Sequence, residues 1–301
     1  MEKKFITVVT PSYNRENLLP RLYESLCRQT SKNFCWILVD DGSRDGTKDL
    51  VQGWIDTQKE FDIKYLYKEN GGMYSACRMG VENTETEAVM DVDSDDWIPD
   101  DAIEKIEKYW NEIRDTEYIG LVGYDSHAGD VEVKGLKFDP SVKDIYIYET
   151  KAVYKSIGDK KYIHRTEIIK ETFKSDPFPI KGEKYFNPMY AANKTYIYGK
   201  YKVIDDCFCI IEYQQDGLSR NKLKQFYQSP NNYGEMRRLS LSYPTGRFPF
   251  FFRESIHYVS CYALAGKLNR AMKESPRKFI TLMSFPFGLL FAAFIKYKNR
   301  K

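Results

Sequence analysis

The 301-residue chain has few of the residues that mark several common kinds of site. It contains only three histidines, none beside a cysteine cluster, and its six cysteines form no C-x-x-C pair, which argues against a zinc site. We therefore expect reduced thiols, as in the cytosol, and no disulfides. The net charge of only +3, from 46 basic and 43 acidic residues, gives no support to nucleic-acid binding.

Longer signals are also missing. The strand-like run from Phe5 to Thr10 is too short for a signal peptide, so we expect none. No G-x-G-x-x-G follows it, which disfavours a dinucleotide-dependent dehydrogenase. The segment Pro11–Arg15 also lacks the Gly-rich loop with Arg and Lys that a sugar-nucleotide nucleotidyltransferase needs. What the chain does have is 42% hydrophobic and 30% charged residues, the composition of a folded protein with a sizeable core.

Short apolar runs alternate with amphipathic segments through about the first 125 residues. Strand patterns occupy 5–10, 36–39, 63–67, 88–92 and 118–123, and helix patterns occupy 18–26, 50–54, 73–81 and 101–113. This alternation predicts an α/β fold with a mostly parallel sheet flanked by helices on both faces. The rest of the chain is less regular. Helix patterns appear at 166–173 and 186–193, strand patterns at 196–198 and 203–213, and the end is mainly helical, broken at Pro244, Pro249 and Pro276.

Polar segments follow four of the predicted strands. They are Pro11–Arg15, Asp40–Ser43, Glu69–Gly72 and Asp93–Asp96. Ligands of such sheets bind beyond the carboxyl ends of the strands. One polar strand end would mean little, but four on the same edge predict a polar cleft.

The acidic cluster Asp93, Asp95 and Asp96 is the strongest local signal. Neighbouring carboxylates repel one another unless a cation neutralises them. A divalent ion held by one or two carboxylates keeps positions free for phosphates, which suits Mg²⁺ or Mn²⁺ on a diphosphate. A solvated acidic turn or helix cap is the alternative. A calcium EF-hand loop fails, because Asp96 stands where Gly is required and Ala102 where Glu is required.

The segments after the first two strands each allow two interpretations. Asp40 and Asp41 could accept hydrogen bonds from a pyrimidine base and a ribose, but an ordinary turn with Ser43 as N-cap fits equally. Tyr13 could stack on a base and Arg15 could offset phosphate charge. A proline-initiated turn before a helix needs no ligand, so both interpretations stay open for this segment as well.

Taken together, these segments resemble family 2 of the inverting glycosyltransferases, which have the GT-A fold. The resemblance covers about residues 5–125 and rests on motifs at Val9–Arg15, Val39–Ser43, Asn70–Gly72 with Ala76 and Arg78, and Asp93–Asp96. It implies a metal-dependent transfer of sugar from a nucleotide donor, expected to be UDP-linked. The implied acceptor is a saccharide or a polyprenyl-linked saccharide in cell-surface polysaccharide synthesis. A nucleotidyltransferase with a similar sheet, or an inactive module that binds nucleotide sugar or membrane, remains an alternative.

The resemblance also implies a division of the chain and a set of site residues. A catalytic domain would cover 1–215, with a nucleotide-sugar half at 1–125 and an acceptor half at 126–215, before a helical extension at 216–301. The implied nucleotide-sugar ligands are Pro11, Tyr13, Arg15, Asp41, Asn70, Arg78 and Asp93. Asp95, with Asp93, would hold Mn²⁺ or Mg²⁺.

Glu183 is the candidate catalytic base. The family often carries Glu-Asp before an acceptor-side helix, and here Lys184 stands in the second place. Transfer by single displacement needs one base to take the proton of the acceptor hydroxyl. A surface Glu paired with Lys181 or Lys184 is the alternative, and the nearby Asp176 keeps the assignment open.

Two further segments, Gly158–Lys160 with Arg165 and Asp216–Arg220, resemble elements of one subgroup of the family. Arg165 or Arg220 could stabilise the charge of the diphosphate, although solvated bases and a turn at Gly217 fit equally. No Gln-x-x-Arg-Trp run occurs, and every Trp lies at or before Trp110. We therefore expect transfer of one sugar, or few, per encounter.

The run Phe279–Ile295 is apolar except for Thr281 and Ser284, and basic residues flank it. At roughly 17 residues it is shorter than the about 20 that a span needs, and it contains Pro286 and Gly288. Surface insertion, a core-packing helix and a span all remain open. We favour surface insertion of 277–298, because the flanking bases suit anionic lipids. The chain is then expected to be cytoplasmic and peripheral at the inner face of the cell membrane.

Overall fold

The computed structural model describes residues 4–128, 137–155, 159–175, 180, 182–212 and 222–299. The chain forms two compact units. The first comprises Met1–Ile147, Ser156–Ser175 and Thr195–Gln214, and the second comprises Tyr148–Lys155, Asp176–Lys194 and Gln215–Lys301. The helices after residue 215 thus share a unit with two earlier segments. The functional division that we place at residue 215 stays a prediction.

The described residues of the first unit contain one mixed sheet with helices. Its strands are β1 (Ile6–Ser12), β2 (Phe34–Asp40), β3 (Asp62–Tyr67), β4 (Ala88–Asp91), β5 (Gly120–His127), β6 (Asp144–Ile145), β7 (Lys160–Arg165) and β8 (Tyr201–Ile211). Its helices are α1 (Leu19–Cys27), α2 (Thr47–Thr57), α3 (Met73–Glu82), α4 (Ala102–Ile113) and α6 (Thr166–Lys174). The second unit contains α5 (Glu149–Ala152), α7 (Met189–Lys194), α8 (Lys222–Gln228), α9 (Pro230–Ser242), α10 (Phe248–Leu264), α11 (Leu268–Glu274) and α12 (Lys278–Asn299).

The strand order is β3-β2-β1-β4-β7-β5-β8-β6. Strands β1 to β4 are parallel, and their register pairs Ser12 with Asp40 and Asp40 with Tyr67, so these strand ends meet at one edge. Strand β7 is antiparallel to both β4 and β5, so β5 ends at that same edge. The predicted α/β fold, with a mostly parallel sheet, flanking helices and a helical C-terminal region, is confirmed.

Apolar periodicity explains the core of the first unit. In α4 the buried residues Ile103, Ile106, Trp110 and Ile113 recur at helical spacing on one face. Each such side chain contributes roughly 1.5–3 kcal/mol when it leaves water. On β2 the buried indole of Trp36 donates a hydrogen bond to the Thr10 hydroxyl at 3.0 Å, so its one polar atom is satisfied.

In the less regular middle, one predicted strand was wrong and another strand was missed. The strand pattern at 196–198 falls in a 3-10 helical turn, Thr195–Ile197, closed by a hydrogen bond from the Tyr198 amide to the Thr195 carbonyl. This turn belongs to the connection between α7 and β8, and it pairs with no strand among the described residues. Strand β7 was missed, because its sequence begins with two lysines that are normally exposed, whereas both are buried in the sheet.

In the second unit, α12 presents small residues to α10. The hydroxyls of Thr281 and Ser284 both hydrogen-bond Ser255, at 3.0 and 2.8 Å. A Cβ on Gly288 would lie only 2.5 Å from the Val259 Cβ, so this approach requires glycine. The opposite face of α12 carries large apolar side chains that are exposed: Phe279, Leu282, Met283, Phe287, Leu289, Leu290 and Phe294.

Candidate active site

The loops after β1 and β2 are tied together at the carboxyl edge of the sheet. Asn14 adopts a left-handed conformation, with φ 52°. Its amide donates to the Ser43 hydroxyl at 2.9 Å, and its side-chain oxygen accepts from the Arg44 amide at 2.8 Å. This pairing leaves Tyr13 at the surface, 43% exposed, and Arg15 half-buried. Pro11, predicted to begin a turn, lies buried within β1.

Asp41 organises the loop after β3. Its carboxylate accepts hydrogen bonds from the Lys68 ammonium at 2.7 Å and from the amides of Gly71 and Gly72, both at 2.8 Å. The Asn70 side chain donates to the Asp41 carbonyl at 2.7 Å. The structure therefore brings Asp41 and Asn70 together. Because the carboxylate of Asp41 is 4% exposed and already has three donors, its direct contact with a nucleotide stays a prediction.

Two buried polar atoms at this edge have no hydrogen-bond partner among the described residues. They are the hydroxyl oxygen of Ser12, at the end of β1, and the side-chain oxygen of Asn70. A buried polar atom without a partner costs about 1–3 kcal/mol. By contrast, the neighbouring Asp40 is satisfied by the Ser43 amide at 2.7 Å and the Tyr65 hydroxyl at 2.6 Å. Ser12 and Asn70 thus keep unpartnered polar atoms at this edge, whereas Asp40 has its partners within the fold.

Arg78 extends from α3, the helix that follows this loop. Its guanidinium pairs with Glu82 one turn later, at 2.8 Å. The pair is partly exposed, so it contributes little stability and does not prevent Arg78 from binding a phosphate.

The carboxylates of Asp93, Asp95 and Asp96 lie together, with one oxygen from each within 4.8 Å of the others. Burial raises the pKa of Asp93 to about 7, and repulsion from Asp91 and Asp95 adds to the rise while Lys161 opposes it. Burial likewise raises the pKa of Asp96 to about 8. Together, the three neighbouring carboxylates supply oxygen ligands of the kind that suits Mg²⁺ or Mn²⁺.

The segment that carries the acidic cluster is held from two sides. Arg21 of α1 donates to the Asp95 carbonyl at 2.6 Å and lies 3.8 Å from the ring centre of Trp97. Trp97 forms an antiparallel bridge with Ile210 of β8. Arg21 also pairs with Glu212 at 2.8 Å. These contacts hold the backbone on both sides of Asp96.

The sequence patterns missed two residues of this edge, Asp125 and Lys161. Asp125 is at the carboxyl end of β5 and is 4% exposed, and burial raises its pKa to about 6. The rule that identified the other polar strand ends would have found it. No local signal marks Lys161, because its place follows from the antiparallel insertion of β7 between β4 and β5.

Glu183 lies in the second unit, where it caps α9. Its carboxylate accepts from the Asn231 amide at 2.9 Å, the Asn231 side chain at 2.6 Å and the Asn232 amide at 2.7 Å. These backbone amides belong to the first turn of the helix, where donors lack partners within the helix. Lys181 and Asp176, weighed above as a partner and as an alternative acid, lie outside the described residues.

The interpretation of Arg165 as a diphosphate ligand was wrong. Strand β7 ends at the edge of the sheet where β4 begins, and Arg165 pairs there with Ala88. Its guanidinium donates to the carbonyls of Tyr118, Ile113 and Arg114 at 2.8–2.9 Å, so it caps the end of α4. The segment 216–220 with Arg220 lies outside the described residues, as does Gly158.

Comparison with known sequences decides the family. Residues 7–179, more than half of the chain, match the sequence profile of Glycosyl transferase family 2. The chain belongs to this family. The matched region includes the polar ends of β1 to β5.

The chain is similar in sequence to curated relatives over part of its length. Glycosyltransferase GlyA of Streptococcus pneumoniae serotype 4 is 30% identical over 165 residues, which are 55% of this chain and 22% of that protein. An undecaprenyl-phosphate 4-deoxy-4-formamido-L-arabinose transferase of Pseudomonas fluorescens is 31% identical over 106 residues, 34% of this chain and 31% of that protein. The chain thus spans less than two thirds of the length of these relatives.

Solved structures share the fold over nearly the whole chain. S. aureus TarS 1–349 in complex with UDP-GlcNAc has a TM-score of 0.61 at 15% identity, covering 98% of this chain and 91% of that one. Mannosyltransferase PcManGT from Pyrobaculum calidifontis, in complex with GDP-Man and Mn²⁺, has a TM-score of 0.56 at 16% identity, covering 97% and 86%. At these identities the likeness shows the GT-A fold.

Proposed function

We propose that this chain is an inverting, metal-dependent glycosyltransferase that moves a sugar from a UDP-linked donor to a saccharide or polyprenyl-linked saccharide. The product would serve cell-surface polysaccharide synthesis. The observation that carries the proposal is the acidic cluster at the carboxyl edge of the sheet, together with the unpartnered polar atoms of Ser12 and Asn70 at that edge. Support comes from the UDP-GlcNAc bound by TarS and from the undecaprenyl phosphate in the name of the Pseudomonas relative.

Asp93 and Asp95 would hold the cation, Mn²⁺ or Mg²⁺. Asp93 and Asp95 are partly exposed residues, whereas Asp96 is buried. The Mn²⁺ in the PcManGT complex supports this choice. When bound, such a cation neutralises the charge that develops on a diphosphate leaving group. The chain itself would contribute the backbone at Asp95 and Trp97, which Arg21 and Ile210 hold by hydrogen bonds.

The nucleotide would lie along the loops after β1, β2 and β3. Exposed Tyr13 would stack on the base and Arg15, with Arg78, would face phosphate charge. Asn70 would offer its unpartnered oxygen to the ribose or base. Pro11 and Asp41 would shape this pocket, the latter through its hydrogen bonds to the loop at 68–72.

The donor and metal assignments are tested by release of UDP from a panel of UDP-sugars, with purified chain and Mn²⁺. Asp95→Asn is expected to lower the rate of transfer at least about 100-fold, because loss of cation stabilisation is worth several kcal/mol. Asp100→Asn is the matched control, since Asp100 is exposed and pairs with Arg28 outside the cluster. An Asp95→Asn variant that keeps full activity in chelator would remove the metal from the proposal. Binding of UDP-sugars without any transfer would favour an inactive module.

Glu183 is proposed as the catalytic base. Its three hydrogen-bond donors give it a second task, the capping of α9, and the two tasks are separable. Glu183→Gln keeps the size of the side chain but cannot accept the acceptor's proton. Asn231→Ala removes one donor and leaves the carboxylate.

If Glu183 is the base, Glu183→Gln loses at least about 100-fold in kcat while UDP affinity stays unchanged. Asn231→Ala then keeps most of its activity. If Glu183 only caps the helix, both variants lose thermal stability and neither loses kcat by more than its unfolded fraction. Unchanged turnover in Glu183→Gln would therefore end the assignment.

We propose that α12 docks on the surface of a bilayer that contains anionic lipids. The helix is long and apolar enough to cross a membrane by length and composition, with a mean hydropathy of 1.8 in its best window. Its small residues, however, already pack on α10, and only the opposite face is apolar and exposed. The exposed Lys278, Lys296 and Lys298 at its ends would meet lipid phosphates. Such docking would place the enzyme at the cytoplasmic face, beside a polyprenyl-linked acceptor.

Co-sedimentation with phosphatidylcholine vesicles, with and without phosphatidylglycerol, tests the docking. Leu290 is 70% exposed, so Leu290→Glu is expected to weaken vesicle binding at least about tenfold by placing a charge in the apolar layer. Ile197→Glu makes the same change at an exposed residue (64%) of the first unit and is expected to have no effect. If the parent chain does not bind vesicles but forms a dimer that Leu290→Glu disrupts, a second copy of the chain covers α12 and the docking proposal is wrong.

A further inference from the structure

Lys161 is a buried cation at the edge that carries the acidic cluster. It lies on β7, where its backbone pairs with Gly123 of β5, and it is 7% exposed. Its ammonium donates a hydrogen bond to the backbone oxygen of Asp91 at 3.0 Å. Asp91 is the last residue of β4 and stands two positions before Asp93. Lys161 therefore holds the strand end from which the cluster begins.

The ammonium of Lys161 makes no direct ion pair among the residues that the structure describes; its one hydrogen bond there goes to the Asp91 carbonyl. A buried ammonium normally contacts a carboxylate, because leaving water is costly for a charge. Here the ammonium lies beside the backbone of Asp91, two residues before Asp93, so its charge compensates the acidic cluster from a distance. Burial also raises the pKa of Asp125, and the charge of Lys161 opposes that rise.

Asp125 provides an independent observation. It is 4% exposed, and one of its carboxylate oxygens has no hydrogen-bond partner among the described residues. Two groups that ordinarily demand a partner, a carboxylate and an ammonium, thus lie buried at the same edge without contacting each other. The carboxylates of Asp93, Asp95, Asp96 and Asp125 outnumber the ammonium groups of Lys161 and Lys160, so the charge of the edge is only partly balanced.

We propose that Lys161 is a positioning residue that sets how tightly the acidic cluster binds a divalent cation. The inference rests on the proposed function, which places that cation on Asp93 and Asp95. Lys161 neutralises part of the carboxylate charge in advance and repels the incoming cation. It therefore weakens cation binding while it keeps the strand end in place. A lysine that served packing alone would have the opposite effect when removed, since a displaced strand end would bind the cation less well.

The test is the dissociation constant of Mn²⁺ for the full chain without donor, measured by electron paramagnetic resonance of free Mn²⁺. Lys161→Met keeps the apolar stem, loses the charge and is expected to bind Mn²⁺ at least about tenfold more tightly. Lys161→Arg keeps the charge and is expected to stay within about threefold of the parent. Lys160→Met is the matched control, because Lys160 is equally buried (8% exposed), but its ammonium lies over the ring of Tyr124, 5.4 Å from the ring centre, and its charge acts on Asp125. Its Mn²⁺ affinity should be unchanged.

Equal or weaker Mn²⁺ binding by folded Lys161→Met overturns the inference, and so does tenfold tighter binding by Lys160→Met. Folding is checked by circular dichroism, and Lys161→Gln takes the place of Lys161→Met if the latter does not fold. A parent chain that binds no Mn²⁺ overturns the proposed metal site and this inference with it. Binding by the parent without the gain in Lys161→Met overturns the role of Lys161 alone.

Discussion

Replacing Asp125 by asparagine removes a charge that the fold buries, and its effect on stability should depend on pH. Asp125 is 4% exposed, and one of its oxygens has no hydrogen-bond partner among the described residues. Burial raises its pKa from 3.8 to about 6, against the opposing charge of Lys161. Asparagine has the same shape and stays neutral, so it isolates the cost of the charge.

The sign follows from linkage. Because the folded state holds the proton of Asp125 more tightly than the unfolded state does, stability is highest below the unfolded pKa and falls as pH rises through the folded pKa. From about pH 5 to about pH 8 this one carboxyl is expected to cost the parent about 1.4 kcal/mol more, taking 1.36 kcal/mol per pKa unit. The advantage of Asp125→Asn over the parent should grow by that amount across the same range.

Urea unfolding of metal-free protein at the two pH values measures this difference. Asp205→Asn is the control, because its side chain is 69% exposed and its removal uncovers no buried charge. The reasoning would be refuted if Asp125→Asn changed the free energy of unfolding equally at both pH values. That result would mean that Asp125 is ionised in the folded protein at no cost.

Three further predictions concern the free energy of unfolding and are checked by urea or thermal unfolding. Gly42→Ala should destabilise the protein by about 1–3 kcal/mol, because φ is +83° and a Cβ would lie 2.8 Å from the Asn70 amide nitrogen. Its control, Gly53→Ala, lies on the open surface of α2 and should stabilise the protein by about 0.5–1 kcal/mol. Arg237→Met should cost about 1–3 kcal/mol, because buried Glu254 loses its partner at 2.6 Å and keeps only Arg253 at 3.3 Å, and the double variant with Glu254→Met should recover most of that loss. Gly288→Ala should cost about 1–3 kcal/mol by pushing α12 off Val259, without moving the midpoint of any transition confined to the first unit.

Local patterns carried the prediction a long way in the first unit. The strand at 36–39 and the helix at 101–113 are found as β2 and α4, because their burial is periodic in sequence. Strand β7 escaped notice because its periodicity is masked by lysines, which only the surrounding carboxylates make tolerable inside a protein. The strand predicted at 196–198 was wrong for a different reason. Tyr196, Ile197 and Tyr198 have high β-propensity, but they pair with no strand among the described residues.

The candidate site divides in the same way. From sequence alone one can see that polar residues follow the strands and that Asp93 and Asp95 suit a cation, because both facts depend on neighbours along the chain. Only the tertiary structure shows that Lys161 supports this cluster, since it comes from 70 positions beyond Asp91 on a strand of opposite direction. Only the structure shows, likewise, that Glu183 caps α9 and that the apolar tail has one packed face and one exposed face. Periodicity and composition predict local structure, because they depend on residues that are close in sequence. The balance of buried charge depends on which distant strands become neighbours, so it needs the tertiary structure.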